Sequence, residues 1–199
     1  MRARGSVAGV ALAFIAVLAL FALVVGGCAY QGYNQAVRLD EHVKGAWAQV
    51  ENILQSRFDL IPNLVQTVKG YAQHEKEVFT DIAEARTKYF QSQESGSRDA
   101  QVAAAGGFER ALSRLLVLQE QYPELKAQAS FQDLQVALEG TERRLAVERK
   151  RYNDSVRELN TFCRKLLGRM YAGWAGVAPA AYFELKDEAR QAPQVDFDG

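Results

Sequence analysis

Residues 130–162, SFQDLQVALEGTERRLAVERKRYNDSVRELNTF, decide the fold. Phe131, Leu134, Leu138, Thr141, Leu145, Glu148, Tyr152, Ser155 or Val156, Leu159 and Phe162 recur at alternating spacings of three and four. A helix turns once in about 3.6 residues, so these side chains form one stripe. Charged and polar residues fill most of the other positions. A stripe held over more than four heptads predicts a long helix packed against other helices. Thr141 and Glu148 put polar groups into that seam. A buried carboxylate needs a partner, so Glu148 either faces an Arg, Lys or Tyr or lies at the seam's wet edge.

The segments before it read the same way. Val43, Trp47, Val50, Leu54, Phe58 and Ile61 form a first stripe. Asp59 reads as an N-cap and Pro62 as a residue of the next first turn, which predicts a chain reversal near 57–61. Leu64, Val65, Val68, Tyr71, Ala72, Val78, Phe79, Ile82 and Ala85 then belong to a second helix ending near Phe90. The polar stretch 93–98 predicts a loop. Ala103 leads into Phe108, Ala111, Leu112, Leu115, Leu116 and Leu118, a third helix whose start Gly106 and Gly107 weaken. Pro123 ends it, and Ser130 is the expected N-cap of the fourth. The expected architecture is all-α, an N-terminal membrane segment followed by an elongated antiparallel up-and-down four-helix bundle. Residues 1–27 form the membrane segment, 28–168 the bundle and 169–199 an aromatic-rich tail, with Pro193 to Phe197 extended.

From Gly5 to Gly27 no residue is charged, and Arg2 and Arg4 stand before the run. Basic residues ahead of an apolar run are the start of an export signal. They favour a cytoplasmic N-terminus and a body outside the cytoplasm. The run is long enough for a spanning helix, which needs about 20 residues. Val25-Gly26-Gly27-Cys28 also resembles a bacterial lipobox, with Val25 in place of the usual Leu, in which Cys28 would be acylated. Both readings, an uncleaved span and an acyl tether, place the body at a membrane. Beyond the run, acidic residues exceed basic ones by two. That balance offers no nucleic-acid footprint and no polybasic lipid-binding face. Two cysteines, Cys28 and Cys163, do not make a disulfide framework.

Catalytic chemistry is hard to find. His42 and His74 are the two histidines, and His74-Glu75-Lys76-Glu77 lacks the second His of a zinc helix. Facing across a hairpin they would make a weak two-His site; as surface residues they need no explanation. No P-loop, nucleophile elbow, dinucleotide fingerprint or Glu-x-x-His pair occurs. The expectation is no enzyme, no cofactor and no metal.

Several separated strings resemble one family. They are Val43 to Trp47, Asp59-Leu60-Ile61-Pro62-Asn63-Leu64-Val65, Thr67 to Glu75 with Tyr71 and His74, Tyr122 to Ala127, Leu138-Glu139-Gly140-Thr141-Glu142, Arg149 to Asp154 with Tyr152 and Asn153, and the terminal Pro-x-Val-x-Phe. In that order they resemble the LemA family over about residues 28 to 197. The resemblance implies a bacterial envelope protein with one N-terminal hydrophobic segment and an extracytoplasmic helical bundle. Family members occur near membrane-embedded zinc proteases, and one relative takes part in forming magnetosome membranes. No catalytic residues are established for the family, so none carry over.

Asp59, Pro62 and Asn63 are sufficiently explained as turn and cap residues. Tyr152 and Asn153 are expected to hydrogen-bond across the bundle toward them. Together with Tyr71, His74, Thr141 and Glu148 they form the candidate structural or interaction motif. The expected function is a membrane-tethered scaffold or adaptor. Its expected partners are the membrane, other envelope proteins, among them a membrane protease, and further copies of itself, but not nucleic acid. The alternatives are a membrane-shaping oligomer and a metal-dependent hydrolase.

Overall fold

A computed structural model describes the backbone of residues 3–184 and the side chains of residues 9–184. The Pro193 to Phe197 stretch lies outside the described residues. All described regular structure is helical: α1 (Ala3–Lys69), α2 (Lys76–Glu94), α3 (Arg98–Gln121), α4 (Pro123–Lys126), α5 (Ala129–Arg164) and α6 (Leu166–Trp174).

The chain divides into two compact units. One comprises Met1–Lys44 and Arg157–Pro179, the other Gly45–Val156 and Ala180–Gly199. In the second unit four helical stretches supply one core. Trp47, Val50, Leu54, Phe58, Ile61, Leu64 and Val68 are the buried stripe of α1. Phe79, Ile82 and Tyr89 come from α2, Val102, Ala105, Phe108, Leu112 and Leu115 from α3, and Phe131, Leu138, Leu145 and Tyr152 from α5. Phe58 lies near the middle, with ring centroids 4.7 Å from Tyr89, 5.2 Å from Phe90 and 4.3 Å from Phe108. Close edge and tilted aromatic pairs of this kind add about 0.5–1.5 kcal/mol each beyond the area they bury.

The expected reversal at 57–61 does not occur. α1 runs through Pro62 to Lys69, so Asp59 caps nothing; the start of the expected second helix, with Leu64, Val65 and Val68, belongs to α1, and the rest, with Val78, Phe79, Ile82 and Ala85, is α2. The reason is the stripe itself. Phe58, Ile61, Leu64, Val68 and Ala72 continue the three-four spacing without a break, and all are buried. Proline inside a helix costs about 3 kcal/mol. Burying Ile61, Leu64 and Val68 contributes roughly 1.5–3 kcal/mol each, so packing outweighs the local break. The chain turns instead at residues 70–75.

α3 also starts earlier than Ala103. Ser97 is its N-cap, its Oγ accepting the Ala100 N–H at 3.3 Å, and Asp99 adds an acidic residue to the first turn. Gly106 and Gly107 therefore lie inside the helix. The expected loop contracts to residues 95–97, and α2 extends to Glu94. Pro123 ends α3 as expected and opens the short α4. α5 begins at Ala129, so Ser130 is already helical.

In the first unit, Ala36, Leu39 and Val43 of α1 and Leu159 and Cys163 of α5 are buried. α6 begins after Lys165, whose extended backbone breaks it from α5. It ends where Gly176 takes a left-handed conformation and the Val177 N–H reaches the Ala172 carbonyl at 2.9 Å. Residues 9–28 of α1 are exposed along their whole length.

Candidate functional site

Arg57 is the most buried basic residue among the described residues of the second unit, only 3 % exposed. It sits on the core face of α1, between Leu54 and Ile61. Its guanidinium fork divides among three acceptors. Nε donates to Thr141 Oγ1 at 3.0 Å, and the two terminal nitrogens pair with Glu109 of α3 and Glu142 of α5. Thr141 in turn donates to the Leu138 carbonyl at 2.7 Å. Arginine is the residue suited to such a place, because its charge is permanent and its five donors are fixed in one plane.

Glu109 is buried too. One carboxylate oxygen meets Arg57, while the other has no hydrogen-bond partner among the described residues. Burial raises the Glu109 carboxyl above the ordinary range; Arg57 pulls it down, and Glu142 pushes it further up. The cluster is thus one cation shared by two carboxylates of unlike exposure. It holds no nucleophile beside a base. Among the described residues no group of three or more His, Cys, Asp or Glu is placed to bind a metal.

A second constellation holds residues 180–183. Asn153 on α5 meets the Phe183 backbone twice, Oδ1 accepting its N–H at 2.8 Å and Nδ2 donating to its carbonyl at 3.1 Å. This is the hydrogen-bond exchange that a neighbouring strand would make, supplied by one side chain. Tyr152 Oη donates to the Ala181 carbonyl at 2.8 Å, and Asp99 accepts the Ala181 N–H at 3.1 Å. The Phe183 ring is buried, 5.9 Å from Trp47, which lies 5.2 Å from Tyr152. Trp47 Nε1 donates to Gln101 at 2.7 Å. Burial is the main reason the Tyr152 phenol is pushed up to about 12; Arg98 draws it down and Asp99 raises it. Four side chains from three helices therefore fix the segment's register.

The sequence profile of the LemA family matches residues 46–197, which contain both constellations. The chain belongs to the LemA family. Among its relatives, magnetosome protein MamQ 2 of Paramagnetospirillum magneticum is 26 % identical, the match covering 88 % of this chain and 72 % of that protein. Magnetosome protein MamQ of Magnetospirillum gryphiswaldense is 25 % identical, covering 86 % and 71 %.

The other LemA-motif residues do not gather at either place. Asp59, Pro62 and Asn63 are exposed on α1. Asp59 accepts from Gln55 at 3.0 Å, and the Asn63 carbonyl accepts from Thr67 at 2.9 Å. Tyr152 and Asn153 bond to residues 181 and 183, not to that neighbourhood, because the backbone there lies in no helix and takes side chains as partners for its N–H and C=O groups. Tyr71 is half-buried in the turn after α1, and His42 and His74 are exposed. Glu148 keeps 18 % of its side chain exposed and pairs with Arg151 of its own helix at 2.6 Å, which is the wet-edge reading. The buried carboxylate is Glu109, which periodicity alone did not single out. Both cysteines are free, Cys28 exposed and Cys163 buried.

Proposed function

We propose that this LemA-family protein is a non-catalytic scaffold or adaptor of the bacterial envelope, tethered by residues 9–27 with its body outside the cytoplasm. The carrying observation is the stretch of α1 that is apolar, long enough to cross a bilayer and wholly exposed. Such a surface has no place in water, so it points to a membrane. The body is read as an antiparallel up-and-down four-helix bundle that presents its polar faces to partners. Envelope proteins, including a membrane protease, are the partners this reading names. The exposed Asp59, Pro62 and Asn63 are their proposed contact, because the fold itself makes little use of these side chains. Exposed Cys28 is the proposed acylation site if the apolar stretch is cleaved.

A photo-crosslinking residue at position 59 or 63 in living cells tests the adaptor reading. The expected product is a discrete adduct with an envelope protein; adducts no stronger than those from a crosslinker at exposed position 136 on α5 would sink it. The mature mass decides the tether: a diacylated Cys28 start, or an intact apolar segment.

The relatives' place among magnetosome proteins favours a second reading, in which copies of the protein assemble on a bilayer and shape it. Vesicles that keep their size when coated with the protein would dismiss it.

A further inference from the structure

α6 is built inside out for a soluble helix. Leu166, Leu167, Met170 and Trp174 share one face, and they are 89 %, 57 %, 41 % and 60 % exposed. The small residues Gly168 and Ala172 occupy the opposite face and are buried. A short helix normally turns its large apolar side chains inward.

Its position within the first unit is fixed by close approach. A Cβ at Gly32 would collide with the Tyr171 ring, and one at Gly168 would collide with the Phe162 carbonyl. An open cleft between the two helices is lined by Cys28, Gly32, Lys165, Leu166 and Tyr171. Thus α6 lies one turn of α1 beyond the end of the apolar stretch. Nineteen residues, 9–27, rise about 28 Å, close to the roughly 30 Å of a bilayer's hydrocarbon core. The next turn of α1 then falls in the headgroup layer.

Charge agrees with that placement. No acidic residue occurs between Asn160 and Phe183, while Arg164, Lys165 and Arg169 do. All three basic residues are exposed. On α1 the first acidic residue is Asp40, and exposed Tyr30 and Tyr33 precede it. Trp and Tyr at the edge of an apolar span are the composition of a membrane interface.

We propose that α6 is a membrane-surface helix: Leu166, Leu167, Met170 and Trp174 enter the interfacial layer, and Arg164, Lys165 and Arg169 meet anionic phospholipid headgroups. The proposal rests on the reading of residues 9–27 as a membrane span. It adds a second, lateral contact, which sets the rotation of the first unit about the bilayer normal.

The test reconstitutes the full chain in vesicles of phosphatidylethanolamine and phosphatidylglycerol, with acyl chains brominated either near the headgroup or near the bilayer centre. Flotation reports the anchor. Quenching of Trp174, read as the difference between the wild type and W174F, reports α6; Trp47 is buried in the second unit and gives the constant background. The expected result is a chain that floats, with Trp174 losing most of its emission to the shallow bromines and little to the deep ones. The variant L166S/L167S/M170S changes only exposed positions, and it should still float but lose that quenching. A chain that floats with Trp174 unquenched by either lipid and open to acrylamide overturns the proposal and leaves the anchor standing. Trp174 shielded from acrylamide but blind to bromine, with dimers captured by crosslinking, also overturns it, since a second copy then covers the face. A chain that does not float overturns both.

Discussion

Arg57 and Glu109 sit where a stripe of apolar residues would have Leu or Val. Arg57 falls three after Leu54 and four before Ile61; Glu109 falls four after Ala105 and three before Leu112. The clue was therefore in the sequence, as charges at in-register positions. It is easily missed, because a charge is expected to point outward and periodicity is read from apolar residues alone. Their pairing could not be read at all, since it joins three helices distant in the chain. The raised Glu109 carboxyl has a consequence for stability. The folded state holds that proton more tightly than the unfolded chain, whose carboxyl titrates near about 4.3. The contribution of Glu109 is thus fully present below that value and is lost as pH rises through the folded pKa. In urea unfolding at a series of pH values, the advantage of the wild type over E109Q should shrink as pH rises above the ordinary carboxyl range. A gap that stays constant or widens would mean that attraction to Arg57 outweighs burial. Asn153 offers a second test. Its two bonds to Phe183 contribute about 0.5–1.5 kcal/mol each. N153A should lose about 1–3 kcal/mol of local stability, and hydrogen exchange should speed up at the Ala181 and Phe183 amides but not at Leu138. Unchanged protection at Phe183 would show that the ring, not the amide, holds the segment.

At the scale of the element, the fold was legible where the information is local and illegible where two local rules compete. The stripe of α5 is of the first kind: Phe131, Leu138, Thr141, Leu145, Tyr152, Val156 and Leu159 are all buried, as their spacing requires. The Gly/Ser turn before α3 is another. The stretch from Asp59 to Pro62 is of the second kind. Asp followed by Pro is a sound helix-start signal, yet the stripe runs through it in register, and the stripe governs because it buries more surface. What remains is a helix that carries a proline in its interior, with the Phe58 carbonyl deprived of an N–H donor at residue 62. Pro62 is exposed, so its ring contributes little packing. P62A should therefore stabilise the second unit, by about 1–3 kcal/mol, measured as a raised urea midpoint with an unchanged slope. A lower midpoint would mean that the proline shapes α1 in a way the core depends on.

On the scale of the whole molecule, charge balance conceals a segregation. The chain is neutral overall, and a neutral total carries no hint of the lipid-facing surface proposed for α6. Yet residues 3–39 and 161–183 contain no acid, and the first acids beyond these stretches are Asp40, Glu158 and Glu184. A chain with its carboxylates kept away from the apolar stretch avoids bringing like charge to an anionic bilayer. The same logic governs orientation. Basic residues close to a span resist translocation, and acidic residues matter little. Arg2 and Arg4 flank the apolar run on its short side, whereas the nearest basic residue after it is Arg38. Under the proposed orientation, Arg2 and Arg4 hold the N-terminus in the cytoplasm while the body is exported. Replacing both with Glu removes that bias without touching any residue of the core. In spheroplasts treated with external protease, the wild-type body should be digested, while a substantial fraction of R2E/R4E should be protected until the membrane is broken. Equal digestion of both would assign the orientation to the length and hydrophobicity of the run. A wild-type body protected from the outset would place it in the cytoplasm, and the proposed partners would then have to be sought there.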